Sequence, residues 1–214
     1  KTYSLKGLSK KSLINILSMG LFFFIYNYCF FKGTDLGKSG MGGVFVTTTN
    51  PIITFIIISF ISKKITNNQI IGIILGCIGG FIIMDIFNLG INNIFDMKNR
   101  YFVFCSIIWG LMTVIMSYGQ KEIDSIVYIG ICYFVTTLIC IPFININELS
   151  SIDFFNTKFL INFFFASIGA MAFGTSIYIY YTPRLGPIQT SAFIFSVPFI
   201  ALFTAFLVLG EPIS

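Results

Sequence analysis

Thr47-Thr48-Thr49-Asn50-Pro51 places three hydroxyls, an amide and a proline inside "GGVFVTTTNPIITFIIISFIS", a run that is otherwise apolar. The chemistry open to these side chains is hydrogen bonding. Hydroxyls and amides donate and accept, and neither ionises. Pro51 adds a second resource: it has no N–H, so the Thr47 carbonyl loses the partner a regular helix would give it. A similar step, Ser196-Val197-Pro198, stands near the other end of the chain, where Pro198 frees the Ile194 carbonyl. Acid–base and metal chemistry have much less to work with. The chain has no histidine, which removes imidazole metal ligands, Ser/His and Cys/His pairs and an imidazole proton relay. Cys29, Cys77, Cys105, Cys132 and Cys140 have neither metal nor redox spacing and read as small packing residues.

The elements that must hold these groups are membrane spans. Charged residues make up 10% of the chain, against about a quarter in soluble domains. Crossing about 30 Å of hydrocarbon takes roughly 20 mostly apolar residues. Seven stretches qualify, near residues 12–31, 40–61, 69–87, 101–119, 125–143, 159–181 and 188–209. None shows the alternating polarity of a barrel strand. The fold class expected is therefore an all-α, polytopic helical membrane bundle. One side of the membrane would carry Lys1, Lys6, Lys10, Lys11, Lys63, Lys64, Lys121 and Arg184; the other, Lys32, Lys38, Lys98, Arg100 and Lys158. The richer side is the cytoplasmic one by the positive-inside rule. The +5 net charge sits between spans and gives no reason to expect nucleic acid. A chain that begins at Lys1 and stops at "LGEPIS" just past a span reads as a piece of a longer one.

The two proline steps belong to a repeat. Superimposing Pro51 on Pro198 sets Phe55 on Leu202, Phe60 on Leu207 and Lys64 on Glu211. Upstream, "KGTDLG" ending at Gly37 parallels "YTPRLG" ending at Gly186, with Gly20 on Gly169 and Phe24 on Phe173. The proline steps lie in the second and seventh spans, five crossings apart, so the two copies run in opposite directions. Inverted repeats with discontinuous helices meeting near the midplane mark secondary transporters. An unmet backbone group costs several kcal/mol in hydrocarbon, so each step belongs beside protein or water. Four consecutive polar residues sweep about one helical turn, too wide for one lipid-facing side to hide. Two readings stay open here: a kinked, protein-buried helix without a ligand, or a kink that lines a substrate cavity.

Other residues carry the same two readings. Trp109, with Gly110, Thr113 and Ser117, faces a cavity or packs in the core; so do Tyr26, Asn27, Thr175 and Tyr178. Gly72, Gly76 and Gly80 fall on one helix face and suit close helix packing, as do Ala166, Ala170 and Gly174. Asp85 is either a proton-coupling carboxylate or an interfacial one.

These features resemble the drug/metabolite transporter superfamily, and within it the EamA-type members. The resemblance lies in the paired "LG…P…" spans, "LVLGEPIS", "QIIGIILGCIGGFIIM" and "IIWGLMTVIMSYGQK", and runs over essentially the whole chain. It implies a ten-span transporter built of two inverted five-span halves, of which seven spans are visible. Residues 1–90 would then hold the last three spans of the first EamA-like repeat, and residues 91–214 the first four of the second. The family pattern has Glu at the exit of both proline-bearing spans. Glu211 fits; Lys64 does not, which places any acidic-pair role in doubt.

The function expected is secondary transport of small metabolites, amino acids or related compounds, outward, by alternating access. Substrate-lining candidates are Tyr26, Asn27, Thr49, Asn50, Trp109, Thr113, Thr175, Tyr178 and Ser196, with Pro51 and Pro198 as hinges. The partners are a small-molecule substrate and the lipid bilayer, with proton coupling an open option; no cofactor or metal is called for, and no oligomeric state is implied. The expected location is a bacterial inner (cytoplasmic) membrane. One rival, an embedded enzyme, lacks a histidine, an HExxH motif and a deep carboxylate pair. The other, a structural or receptor-like seven-helix protein, would not need the repeat.

Overall fold

A computed structural model describes residues 7–36, 39–62, 65–83 and 100–209. Lys64, Asp85 and Glu211, weighed above, lie outside the described residues, as do Gly37, Lys38, Lys63 and Lys98. Among the described residues the elements are helical: α1 Lys10–Leu36, α2 Ser39–Ile61, α3 Asn67–Ile83, α4 Arg100–Gly119 and α5 Ser125–Cys140. A short α6, Ile146–Ser150, leads to the long α7, Thr157–Leu185. Then come α8 Pro187–Ala192, a 3-10 turn Phe193–Phe195 and α9 Ser196–Leu209. All seven expected apolar stretches are thus helical where they are described. Five of the helices are long and apolar enough to cross a membrane, and Asn67–Ile83 and Pro187–Ile200 are shorter apolar helices.

The chain forms two compact units. One holds Lys1–Phe24 and Met116–Arg184, the other Ile25–Ile115 and Leu185–Ser214. Each therefore draws residues from both the first and the second half of the chain.

In the first unit α1 packs on α5. A Cβ at Gly20 would come within 2.6 Å of Val135, so only glycine lets the two helices approach this closely. Tyr128 Oη donates to Asn15 Oδ1 at 2.9 Å, and Thr136 Oγ1 to the Gly20 carbonyl at 3.0 Å. These bonds matter because apolar burial gives little drive between helices already in lipid. At one end of the unit, the Ser9 and Ser12 hydroxyls donate to Glu122 at 2.9 and 2.8 Å. Arg184 donates to Ser125 Oγ at 3.0 Å. The start of α1, the α4–α5 turn and the end of α7 thus share one end, which also carries Lys10, Lys11 and Lys121. That is the grouping expected of a cytoplasmic face. Within α7, residues Phe164–Thr175 are π-helical. Its stripe Ala166, Ala170 and Gly174 is exposed, so the helix packing expected there is not present among the described residues.

In the second unit α2 packs against α3, α8, the 3-10 turn and α9. Ile58, Val114 and Ile188 form one core cluster; Cys29, Phe45, Val46, Phe102 and Cys105 form another. α2 is continuous through Pro51. This corrects the expectation of a broken helix in each half. The neighbouring hydroxyls bond back along the helix, Thr47 Oγ1 to the Gly43 carbonyl at 2.7 Å and Thr49 Oγ1 to Phe45 at 2.8 Å. The second step does interrupt its helix, through the 3-10 turn just before Ser196. Gly186 has φ +91, which a side chain would strain; it lets the chain leave α7 and enter α8.

Candidate functional site

The polar step of α2 is turned into the second unit. Thr48 and Asn50 are 0% and 2% exposed, and Thr47 and Thr49 are half-buried. That outcome matches the argument that no lipid-facing side could hide four polar residues. Each side chain meets a different neighbour. Thr49 Oγ1, whose proton goes to the Phe45 carbonyl, lies 2.6 Å from Ser106 Oγ on α4, and the Ser106 proton is shared between it and the Phe102 carbonyl at 3.0 Å. Thr54 Oγ1, one turn after Asn50, donates to Asn50 Oδ1 at 3.3 Å. Thr48 faces Gly80 on α3, where an added Cβ would fall on the Thr48 side chain. Its hydroxyl is buried and has no hydrogen-bond partner among the described residues. Burying such a group unmet costs about 1–3 kcal/mol.

α4 supplies the facing wall, because Phe102, Ser106, Trp109, Gly110 and Thr113 recur at three and four residues on one helix face. The Trp109 ring lies 4.7 Å from the ring of Tyr26 on α1. A Cβ at Gly110 would come within 2.6 Å of Ile53, two residues past Pro51. Thr113 is fully buried and donates to the Trp109 carbonyl at 2.9 Å. Asn27, next to Tyr26, is half-buried.

The remaining candidates stand apart. Pro198 is buried near the start of α9, whereas Ser196 is exposed and donates to the Phe193 carbonyl at 2.6 Å, which closes the 3-10 turn. Thr175 and Tyr178 belong to the first unit. Thr175 donates to the Ala170 carbonyl at 3.1 Å in the π-helical segment, and Tyr178 is half-buried. Of the three glycines on one face of α3, Gly80 meets Thr48 and Gly76 meets Phe195, but Gly72 faces open space.

Three contributors were not among the substrate-lining candidates: Ser106, Thr54 and Thr48. Ser106 had a signal, since it lies one turn before Trp109 and Gly110. Thr54 lies one turn beyond Asn50. Thr48 stands in the polar step, and its hydroxyl, unlike those of Thr47 and Thr49, does not bond back to the preceding turn. Among the described residues no three His, Cys, Asp or Glu side chains gather as a metal would need. The side chains gathered around the polar step are neutral hydrogen-bonding groups and aromatic rings.

Apolar helices of spanning length, with a polar, aromatic-walled step buried inside one of them, define a polytopic α-helical membrane protein. Comparison with protein families matches residues 2–85 and 99–214 to the EamA-like transporter family. The chain belongs to that family, and so to the membrane transporters of the drug/metabolite superfamily. Transport rather than catalysis is what that membership implies. No curated protein matches the chain.

Proposed function

We propose that this protein is a secondary transporter that exports small metabolites, amino acids or related compounds, by alternating access across a bacterial cytoplasmic membrane. The observation that carries the reading is the polar step of α2. Thr48 and Asn50 are buried at mid-span, and Thr48 keeps a hydroxyl with no partner among the described residues. A span with only a packing role gains nothing from such a group, whereas a binding element needs polar capacity held in reserve for a ligand. In this proposal Tyr26, Asn27, Thr48, Thr49, Asn50, Trp109 and Thr113, all in the second unit, contact the substrate. Pro51 and Pro198 act as hinges, and a proton is the candidate coupling ion.

The deciding experiment is flux in proteoliposomes holding the full-length protein. Labelled amino acids and other small metabolites would be offered with and without a proton gradient. Saturable flux that the gradient accelerates is the expected result. Folded, inserted protein that moves none of these compounds would overturn the proposal and leave the family membership standing.

A further inference from the structure

The connection between α5 and α7 is ordered without a core beneath it. Every residue from 141 to 156 is exposed. Its shape comes from local hydrogen bonds. Asn145 accepts from the Asn147 N–H at 3.1 Å and donates to Glu148 at 2.8 Å across the start of α6. Asp153 accepts from the Phe155 N–H at 3.0 Å, and Asn156 caps α7 by accepting from Lys158 at 2.9 Å. Its polar groups are therefore met within the loop, while its large apolar side chains point away from the unit. Phe155 is 91% exposed, Ile146 75% and Ile144 51%.

Such a surface, in water, would be a liability. Its position in the chain says what covers it. Ser125–Phe143 before it and Thr157–Leu185 after it are both spans, and their exposed apolar faces are lipid-facing. A connection this short between two spans stays within the headgroup zone, continuous with that lipid surface. Apolar residues at this level lie along the boundary between headgroups and acyl chains. We propose that residues 144–156 form an interfacial anchor, with Ile144, Ile146, Phe154 and Phe155 dipped into the bilayer and Asn147, Glu148 and Asp153 held in the headgroup layer. The segment carries Glu148 and Asp153 and no Lys or Arg. Attraction to anionic lipid therefore plays no part, and zwitterionic lipid is sufficient.

The test is depth-resolved quenching on the full chain in phosphatidylcholine vesicles. Phe155→Trp and, separately, Ile146→Trp would each be compared with the parent, so that the difference isolates the added indole from Trp109. Phosphatidylcholine brominated high on its acyl chains should remove most of the added emission, and aqueous iodide little of it. The result should not change with salt or with added anionic lipid. Ser151→Trp should show the reverse, quenched by iodide and spared by bromine. Iodide quenching at positions 146 and 155 would place the loop in water and overturn the proposal. Protection from both quenchers would mean that protein covers the loop, a second copy or another part of the chain, and would overturn it equally. Having two reporter positions guards against one variant that fails to fold.

Discussion

Asn50 is buried at mid-span and, among the described residues, takes one modest bond, from Thr54 at 3.3 Å. Its amide therefore has capacity left for a ligand. Asn50→Leu removes that capacity while keeping the side chain branched at the same carbon. Flux should fall at least several-fold while the amount of inserted protein stays level; measured flux equal to the parent's would remove Asn50 from the site. Thr48 gives a stability prediction of opposite sign to intuition. Thr48→Ala discards a buried hydroxyl that lacks a partner among the described residues, so it should cost less than 1 kcal/mol or stabilise slightly. Gly80→Ala alone drives a Cβ into Thr48 and should cost about 1–3 kcal/mol. In the Thr48→Ala background most of that cost should vanish, and a thermal-unfolding double-mutant cycle reads the coupling directly. At this scale the sequence showed which residue types were out of place in lipid. It did not show partners, because Thr49 and Ser106 are 57 positions apart and meet only through helix packing.

Among the elements, the two proline steps look alike in sequence and differ in structure. Both prolines delete one N–H, but α2 keeps its course where Thr47 and Thr49 bond back to the preceding turn. The second step has Ile194, Phe195 and Ser196 at the positions of Thr47, Thr48 and Thr49; its one hydroxyl, that of Ser196, reaches back three residues to the Phe193 carbonyl rather than four, and a 3-10 turn forms there. Composition alone could place a proline effect but not decide between a tolerated proline and a break. If Pro51 serves as a hinge, Pro51→Ala returns a hydrogen bond to the helix, and the protein should gain about 1 kcal/mol in unfolding while turnover falls. Higher stability with unchanged turnover would deny Pro51 the hinge role. The start of α1 offers a pH prediction. The Ser9 N–H donates to Glu122 at 3.0 Å, the Ser12 and Ser9 hydroxyls add theirs, and together they hold the Glu122 carboxyl below its ordinary value. A carboxyl lowered in the folded state stabilises it above the ordinary carboxylate range and ceases to do so as pH falls through the lowered value. Hydrogen-exchange protection around Leu13 should therefore weaken below about pH 4. Glu122→Gln should show the weaker protection already at neutral pH and lose the pH dependence.

For the molecule as a whole, the sequence carried the positions of the apolar helices and the grouping of basic residues at one end of the first unit better than it carried the packing. Charge is costly in lipid, so Lys10, Lys121 and Arg184 had to fall at span ends, and counting crossings put them on one side. The hydrogen bonds from Ser9 and Ser12 to Glu122 and from Arg184 to Ser125 gather those same ends. Packing depends on which faces meet, and a helix apolar all round announces no face; hence α7 showed a small-residue stripe that the structure leaves exposed. The inverted repeat is the part of the sequence reading with the largest mechanistic weight, and it makes a sharp demand on sidedness. Lys64 follows the second span and Glu211 the seventh, an odd number of crossings apart. Lys64→Cys and Glu211→Cys, each labelled in sealed right-side-out vesicles with a membrane-impermeant maleimide, must therefore react from opposite faces. Position 211 should label from outside at once, and position 64 only after the membrane is opened. Labelling of both from one face would require an even number of crossings between them, so the two proline-bearing spans would run in the same direction. Alternating access between inverted halves would then lose its structural basis, whatever the flux assay reports.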